Sequence, residues 1–368
     1  MGGATDEGVS QYGGGDILMG TARVPRTVLV TGGAGFIGTN FVHYLLQQTD
    51  VRVVVLDAFT YAGQEQNLAP CVGHPRCWIV RGRVENAELV HHICRSAGVD
   101  TIVNLAAQTH VDRSILEVQP FVHSNVRGTV TLLEVARQLG VERFVQMSTD
   151  EVYGECLSGA CSEDAPLAPS SPYAASKAAA DCFVEAYVRT YRLPAIVVRS
   201  CNVYGPYQFP EKLIPMSILC ALHEEPIPLY GDGSQRRQWL AVEDLCRALW
   251  LLCCVGQTGH VYHVSSGVER ENREVVRRIL ELLGKPVSLL RSVPDRPGHD
   301  RRYALQSEHI RRLGWEPQVD FEEGLARTVR WYCEHPQWWK PLWDGEYARY
   351  RQLWYGQTLG AHMALRQE

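Results

Sequence analysis

Over the first half of the chain, short runs of apolar residues alternate with stretches whose apolar positions recur at helical spacing. Thr27-Val28-Leu29-Val30 is rich in β-branched residues and predicts a buried parallel strand. Thr39 to Gln48 predicts a helix, Val51 to Leu56 a second strand, and Trp78-Ile79-Val80 a third. The alternation continues with a helix over Ala87 to Ala97, a strand over Thr101 to Leu105, a helix over Val126 to Leu139 and a strand over Arg143 to Met147. A long helix from Tyr173 to about Tyr191 leads to a strand at Ala195 to Arg199. Repeated βα units of this kind predict an α/β fold with a doubly wound parallel sheet of the Rossmann type.

Near Asn202 the pattern changes. Asn202-Val203-Tyr204-Gly205-Pro206 and the residues up to Pro210 mix Pro, Gly and aromatics, and the later elements are shorter. The expected division is an N-terminal extension over 1–25, a nucleotide-binding domain over 26–201 carrying the catalytic residues, and a smaller mixed α/β part over 202–368 that holds substrate. The extension is rich in Gly and lacks a basic start followed by an apolar stretch, which predicts disorder rather than a secretory signal.

Composition narrows the function classes. With 368 residues and 45% hydrophobic content the chain can bury a large core, and a net charge of −5 argues against a nucleic-acid partner. No apolar run approaches the ~20 residues of a membrane span. The 12 cysteines lack zinc-ligand spacing and fall mostly in apolar stretches, so they read as small buried hydrophobes in a reducing cytoplasm, with no metal site.

The candidate chemistry lies at the predicted carboxyl ends of strands, where open α/β sheets bind ligands. Gly32, Gly35 and Gly38 follow the first strand and open a helix, with Phe36 and Ile37 between them. That arrangement lets the backbone approach a pyrophosphate at the helix N-terminus. Asp57 ends the second strand, on the order of 20 residues beyond the last glycine. A carboxylate there accepts from ribose hydroxyls and repels a 2′-phosphate, so the expected cofactor is NAD. Ala106 ends the fourth strand, facing the same crevice.

The run Ser148-Thr149-Asp150-Glu151 ends the strand that begins at Arg143, and Tyr173 and Lys177 follow on one helical face. An adjacent ammonium can lower the phenol from its ordinary pKa of ~10 and make it a usable base. Of the two carboxyls, one can stay protonated as an acid while the other works as a base if their surroundings differ. A simple alcohol oxidation needs no such pair.

These residues resemble the extended short-chain dehydrogenase/reductase family, and within it the dTDP-glucose 4,6-dehydratases, from about residue 26 to about residue 360. The motifs are TGGAGFIG at 31–38, TYAG at 60–63, AAQTHVDRS at 106–114, STDEVYG at 148–154, SPYAASKAA at 171–179, NVYGPYQFPEKLIP at 202–215, YGDGSQ at 230–235 and RPGHDRRYA at 296–304. The resemblance implies a homodimer joined by helices 126–139 and 173–191, and a dTDP-glucose substrate or a related nucleotide sugar. It assigns Thr149, Asp150, Glu151, Tyr173 and Lys177 to catalysis, with Tyr173 taking the C4 hydroxyl proton, Glu151 the C5 proton and Asp150 protonating the leaving C6 hydroxyl. Asp57 and Tyr61 would hold the adenosine side of NAD and Lys177 the nicotinamide ribose. Asn202, Lys212, Arg237 and His299 become sugar-nucleotide ligands, with Arg237 and Arg296 on or near the diphosphate, Tyr230 beside the base and His110 near the sugar.

The chain departs from the family pattern at Arg83, Gln108, Gln238 and the segment His263 to Gly267. Arg83 removes an acceptor for the adenine amino group. Three of the four changes are expected near the nucleotide sugar, where they bear on base and sugar choice. Alternatives are a 4,6-dehydratase of another nucleotide hexose such as UDP-glucose, and a non-catalytic NAD-binding protein.

Overall fold

In the computed structural model, residues 23–345 and 347–355 are described. Most of the expected extension therefore lies outside the described residues. Arg23, near its end, pairs with Asp100 and Glu142 at 2.9 and 2.7 Å.

The strands β1 (Thr27–Thr31), β2 (Arg52–Asp57), β3 (Cys77–Arg81), β4 (Thr101–Asn104), β5 (Arg143–Thr149) and β6 (Ala195–Ser200) lie side by side, all parallel. Side chains along β1 alternate between faces: Val28 and Val30 join one apolar cluster and Leu29 the other. Burial on both faces is why these strands read as continuous apolar runs.

Helix α1 (Phe36–Gln48) covers one face of the sheet. The opposite face carries α2 (Ala87–Ala97), whose Asn86 caps the Leu89 amide, together with the helices beyond β4 and β5. After β4 come α3 (Val111–Leu116), the single turn α4 (Gln119–Phe121) and α5 (Gly128–Leu139). Between α4 and α5 the backbone runs through a π-turn at Val122–Arg127. The predicted helix from Val126 is thus continuous with an earlier start, wound more loosely around Asn125. The side-chain amide of Asn125 brackets the backbone of Gln108, accepting from its N–H at 2.8 Å and donating to its carbonyl at 3.0 Å. Helix α6 (Pro172–Tyr191) starts where Ser171 caps the Ala174 amide and Pro172 fills the first turn, and it ends at Arg192 in the left-handed conformation.

Beyond Ser200 the chain builds β7 (Asn202–Tyr204), α7 (Leu213–Leu222), β8 (Ile227–Tyr230) and β9 (Arg236–Ala241), then returns through α8 (Val242–Val255) and β10 (Val261–Val264). Strand β10 pairs with β6, so the large sheet has seven strands in the order β10-β6-β5-β4-β1-β2-β3. Helix α8 packs beside α1 on the same face, with Leu245, Leu249 and Leu252 in its cluster. The expected part over 202–368 therefore lends a strand and a helix to the nucleotide-binding layer.

The remainder forms β11 (Glu269–Glu271), α9 (Asn272–Leu282), β12 (Leu290–Val293), α10 (Glu308–Arg312), α11 (Phe321–Glu334) and α12 (Pro336–Asp344). Strand β9 lies between β7 and β11, and β12 pairs with β8. Trp338, Trp339 and Trp343 are buried with α7, α9 and α11 in a separate aromatic core. Among the described residues no helix is long and apolar enough to cross a membrane.

Candidate active site

A single cleft runs along the carboxyl ends of β1, β2, β4 and β5, at the point where the strand order reverses between β1 and β4. Gly32, Gly35, Phe36, Ile37 and Gly38 line one end of it. Gly32 has φ +66° and a Cβ there would sit 2.7 Å from the Ala106 backbone, while a Cβ on Gly38 would overlap the Gly32 carbonyl. The loop is therefore a cradle that only glycine permits, opening on the N-terminus of α1.

Asp57 closes the same end. Its carboxylate accepts from Ala34 N at 2.9 Å and Phe59 N at 2.7 Å. Burial raises its pKa, and these two backbone donors oppose the rise. Tyr61 is turned elsewhere than the resemblance implied. Its hydroxyl donates to Glu211 at 3.0 Å under the Arg113 guanidinium, and the cleft is lined by its neighbours Thr60, Ala62 and Gly63. Ala106 lines the middle of the cleft, where its N–H donates to Thr31 Oγ1 at 3.2 Å.

At the far end the cleft meets Thr149, Asp150, Glu151, Tyr173, Lys177, Asn202 and Lys212. The 3-10 turn Asp150–Tyr153 follows β5 directly, with the Thr149 hydroxyl capping the Glu151 amide. Asp150 is buried, with Oδ1 accepting from Thr149 Oγ1 at 3.1 Å and Oδ2 without a partner among the described residues. Burial first, then the neighbouring Glu151 charge, push its pKa up to about 7. Burial also raises Glu151, but the cations of Arg296, Lys212 and Arg237 all oppose that rise. The two acids differ in surroundings as an acid and a base require.

Tyr173 departs from expectation. Burial and the charges of Glu151 and Asp150 raise its hydroxyl above its ordinary value, against a hydrogen bond with Thr149. Lys177 Nζ is directed to the Met147 carbonyl at 2.5 Å, and burial lowers its own pKa to about 8. The anticipated lowering of the phenol by the lysine is thus outweighed by desolvation and by the two acids.

Beside the acid pair stands a cationic cluster. Arg237 is buried, its guanidinium donating to the Arg236 and Asp300 carbonyls at 2.8 Å each and lying 4.1 Å over the Tyr303 ring. Lys212 donates to the Thr109 carbonyl at 2.6 Å. Among the described residues neither cation has a carboxylate partner. Arg296 is paired with buried Asp112 at 2.8 Å, and Tyr230 donates to the same carboxylate at 2.7 Å. His299 meets Asp295 at 2.5 Å, and His110 meets the Glu211 carbonyl at 3.1 Å. Neither these four residues nor Arg237 lines the cleft, whereas Lys212 does.

The family model described as GDP-mannose 4,6 dehydratase matches residues 29–328. The chain belongs to the GDP-mannose 4,6 dehydratase family. Among relatives of this dehydratase-family chain, the low-salt glycan biosynthesis protein Agl12 of Haloferax volcanii is 50% identical over 83% of the chain and 98% of the relative. A dTDP-glucose 4,6-dehydratase of Streptomyces niveus is 47% identical over 86% of the chain and 95% of the relative. The crystal structure of DesIV, a dTDP-glucose 4,6-dehydratase of Streptomyces venezuelae with NAD bound, superimposes with a TM-score of 0.84 at 49% identity, covering 86% of this chain and 99% of that one.

Sequence reasoning missed several groups that shape the site of this family member. Asn125, on the π-turn, also donates to Ser176 Oγ at 2.8 Å and so ties α6 to the segment after β4. Glu211 stands in a motif that was noted, yet its role emerges only in three dimensions: it is the carboxylate that holds both Tyr61 and Arg113, the latter at 2.8 Å. Two of the departures are also relocated. Gln108 and Arg83 line the cleft, but Gln238 and His263 are buried away from it. Gln238 Oε1 accepts from Ser265 Oγ at 2.6 Å and Leu305 N at 2.9 Å, which makes these departures parts of one scaffold rather than contacts to a sugar.

Proposed function

We propose that this protein is an NAD-dependent dTDP-glucose 4,6-dehydratase, a hydro-lyase that forms dTDP-4-keto-6-deoxyglucose. The observation that carries the reading is the pair of buried Asp150 and half-buried Glu151 lining the end of the glycine-lined cleft, beside two cations that have no carboxylate partner among the described residues. The relatives named as dTDP-glucose 4,6-dehydratases, and the solved one holding NAD, support the same assignment.

The glycine cradle and Asp57 fit a dinucleotide, the cradle meeting its pyrophosphate and Asp57 its adenosine ribose. The chemistry that NAD supplies when bound is temporary storage of the C4 hydride, which returns at C6. Tyr173 takes the C4 hydroxyl proton as its phenolate, a form that the positive nicotinamide ring of bound NAD would favour against the raised value of the site alone. The ketone so formed acidifies C5, where Glu151 removes the proton and gives it back once the hydride reaches C6. Asp150 enters this step protonated and gives its proton to the C6 hydroxyl, which leaves as water. Lys212 in the cleft, with Arg237 and Arg296 near it, is assigned to the diphosphate and Asn202 to the sugar side. Exposed Phe183 and Tyr191 on α6 support the homodimer, and 12 free cysteines support a cytoplasmic setting.

The test is base exchange. dTDP-glucose should exceed UDP-glucose and GDP-mannose in kcat/KM by about tenfold or more. Preference for UDP-glucose would leave the chemistry standing and correct the base; no turnover of any of the three would overturn the reading.

A further inference from the structure

Below the catalytic turn, five elements are joined by one chain of buried polar groups. It starts at Ser148, whose hydroxyl donates to Asp181 Oδ2 at 2.9 Å. The same oxygen accepts from Arg199 Nε at 2.9 Å, forming an ion pair with side chains 2% and 0% exposed. The other guanidinium arm meets Tyr153 Oη at 2.6 Å, Tyr153 Oη meets His263 Nε2 at 2.6 Å, and His263 Nδ1 meets the Gln306 carbonyl at 2.8 Å.

Donor and acceptor chemistry fixes the direction of every link. Arg199 only donates and the Gln306 carbonyl only accepts. His263 therefore carries its proton on Nδ1, leaving Nε2 to accept from the Tyr153 hydroxyl, which itself accepts from Arg199. Burial and the Arg199 charge keep the imidazole neutral, lowering its pKa to about 3.

The ends of this chain are informative. Ser148 and Tyr153 bracket Thr149, Asp150 and Glu151, so the proposed catalytic residues hang between two of its anchors. Gln306 follows the segment whose Asp300 and Tyr303 hold Arg237. Gln238 and Ser265 fasten Leu305 alongside. Asp181 lies one helical turn beyond Lys177, and its Oδ1 has no hydrogen-bond partner among the described residues. A buried ion pair of this kind is weak evidence for stability, because desolvation offsets its attraction.

We infer that Asp181, Arg199, Tyr153 and His263 are positioning residues: they hold the catalytic turn in register with the Arg237-bearing part, and Asp181 serves as the counter-charge that keeps Lys177 an ammonium. This rests on the dehydratase reading for the roles of the residues positioned, and it adds a set of groups outside the cleft. The titratable groups around Lys177 are Tyr173 and Asp181 on its own helix, Asp150 and Glu151 on the turn after β5, and Arg199 on β6; of these, Asp181 is the charge that raises Lys177 against its burial.

The test uses the full chain, which contains four lysines, so the Nζ signal of Lys177 can be followed by NMR with nitrogen-15-labelled lysine. In Asp181→Asn the Lys177 titration should move down by about one pH unit. An unmoved titration overturns the inference. In Tyr153→Phe the Lys177 titration should stay in place while kcat falls by about tenfold and KM for dTDP-glucose changes less than about twofold, the scale of one lost hydrogen bond. Unchanged kcat, or a loss confined to KM, overturns the link to the turn. Should Asp181→Asn fail to fold, Asp181→Glu keeps the charge and should restore the wild-type Lys177 titration, and a downward shift there refutes the counter-charge role. The lysine titration needs no turnover, so failure of the dehydratase reading shows separately, as wild-type protein inert toward every nucleotide hexose.

Discussion

Replacing Asp150 with Asn should make the protein more stable while removing its dehydration activity, and the gain should depend on pH. In the unfolded chain an aspartate titrates near ~3.9. In the fold burial and the Glu151 charge hold it near about 7. Between those values the folded state keeps a proton that the unfolded state has lost, so stability is fully present below the unfolded value and drains away as pH rises to about 7. A shift of roughly three units at ~1.4 kcal/mol each sets a ceiling of about 4 kcal/mol. Relaxation around the site and the coupled titration of Glu151 bring the realised penalty to about 2 kcal/mol. Asn carries no charge to bury. Urea unfolding should therefore favour Asp150→Asn by about 2 kcal/mol near pH 8 and by less than about 1 kcal/mol near pH 4. A gap that is the same at both pH values, or a variant less stable near pH 8, would refute the reasoning about this carboxyl.

The same group sets a rate dependence: with Asp150 needed in its protonated form, kcat for methyl formation should decline as pH rises through about 7, and a pH–rate profile flat to about 9 would contradict its role as acid. Glu151→Gln should accumulate reduced nicotinamide on mixing with dTDP-glucose without giving the methyl product, seen as absorbance that does not decay. Gly38→Ala should lower the cofactor content of purified protein by about tenfold or more, because its Cβ overlaps the Gly32 carbonyl; normal NAD content would refute the cradle. Glu211→Gln should cost about 1–3 kcal/mol in unfolding measurements, since it leaves the partly buried Arg113 without its carboxylate.

The strands of the large sheet were legible because burial on both faces writes them as uninterrupted apolar runs, and strand ends in an open parallel sheet converge on one crevice. That is why Gly32 to Gly38, Ala106 and Thr149 to Glu151 could be brought together before any coordinates. The π-turn at Val122–Arg127 was not legible, since its extra residue is held by the bonds of Asn125 to Gln108 and Ser176, and tertiary contacts leave no mark on helical periodicity. Nor does a four-residue run such as Val261–Val264 say which sheet it will join; its pairing with β6 decides that. Charge balance was harder still. A Tyr and a Lys on one helical face predict a lowered phenol, and the burial of Tyr173 together with the charges of Glu151 and Asp150 reverses the sign. Gln238 and His263 looked like ligand changes because they stand in motifs expected at the nucleotide sugar, whereas their own side chains point into a buried scaffold.

The most direct test of the central claim is proton NMR of the purified protein incubated with dTDP-glucose and no added reductant. A new methyl doublet from C6 should appear as the sugar's C6 methylene signals disappear, with no net change in nicotinamide oxidation state. Intact dTDP-glucose after prolonged incubation with NAD supplied, or oxidation at C4 that never proceeds to a methyl, would contradict it.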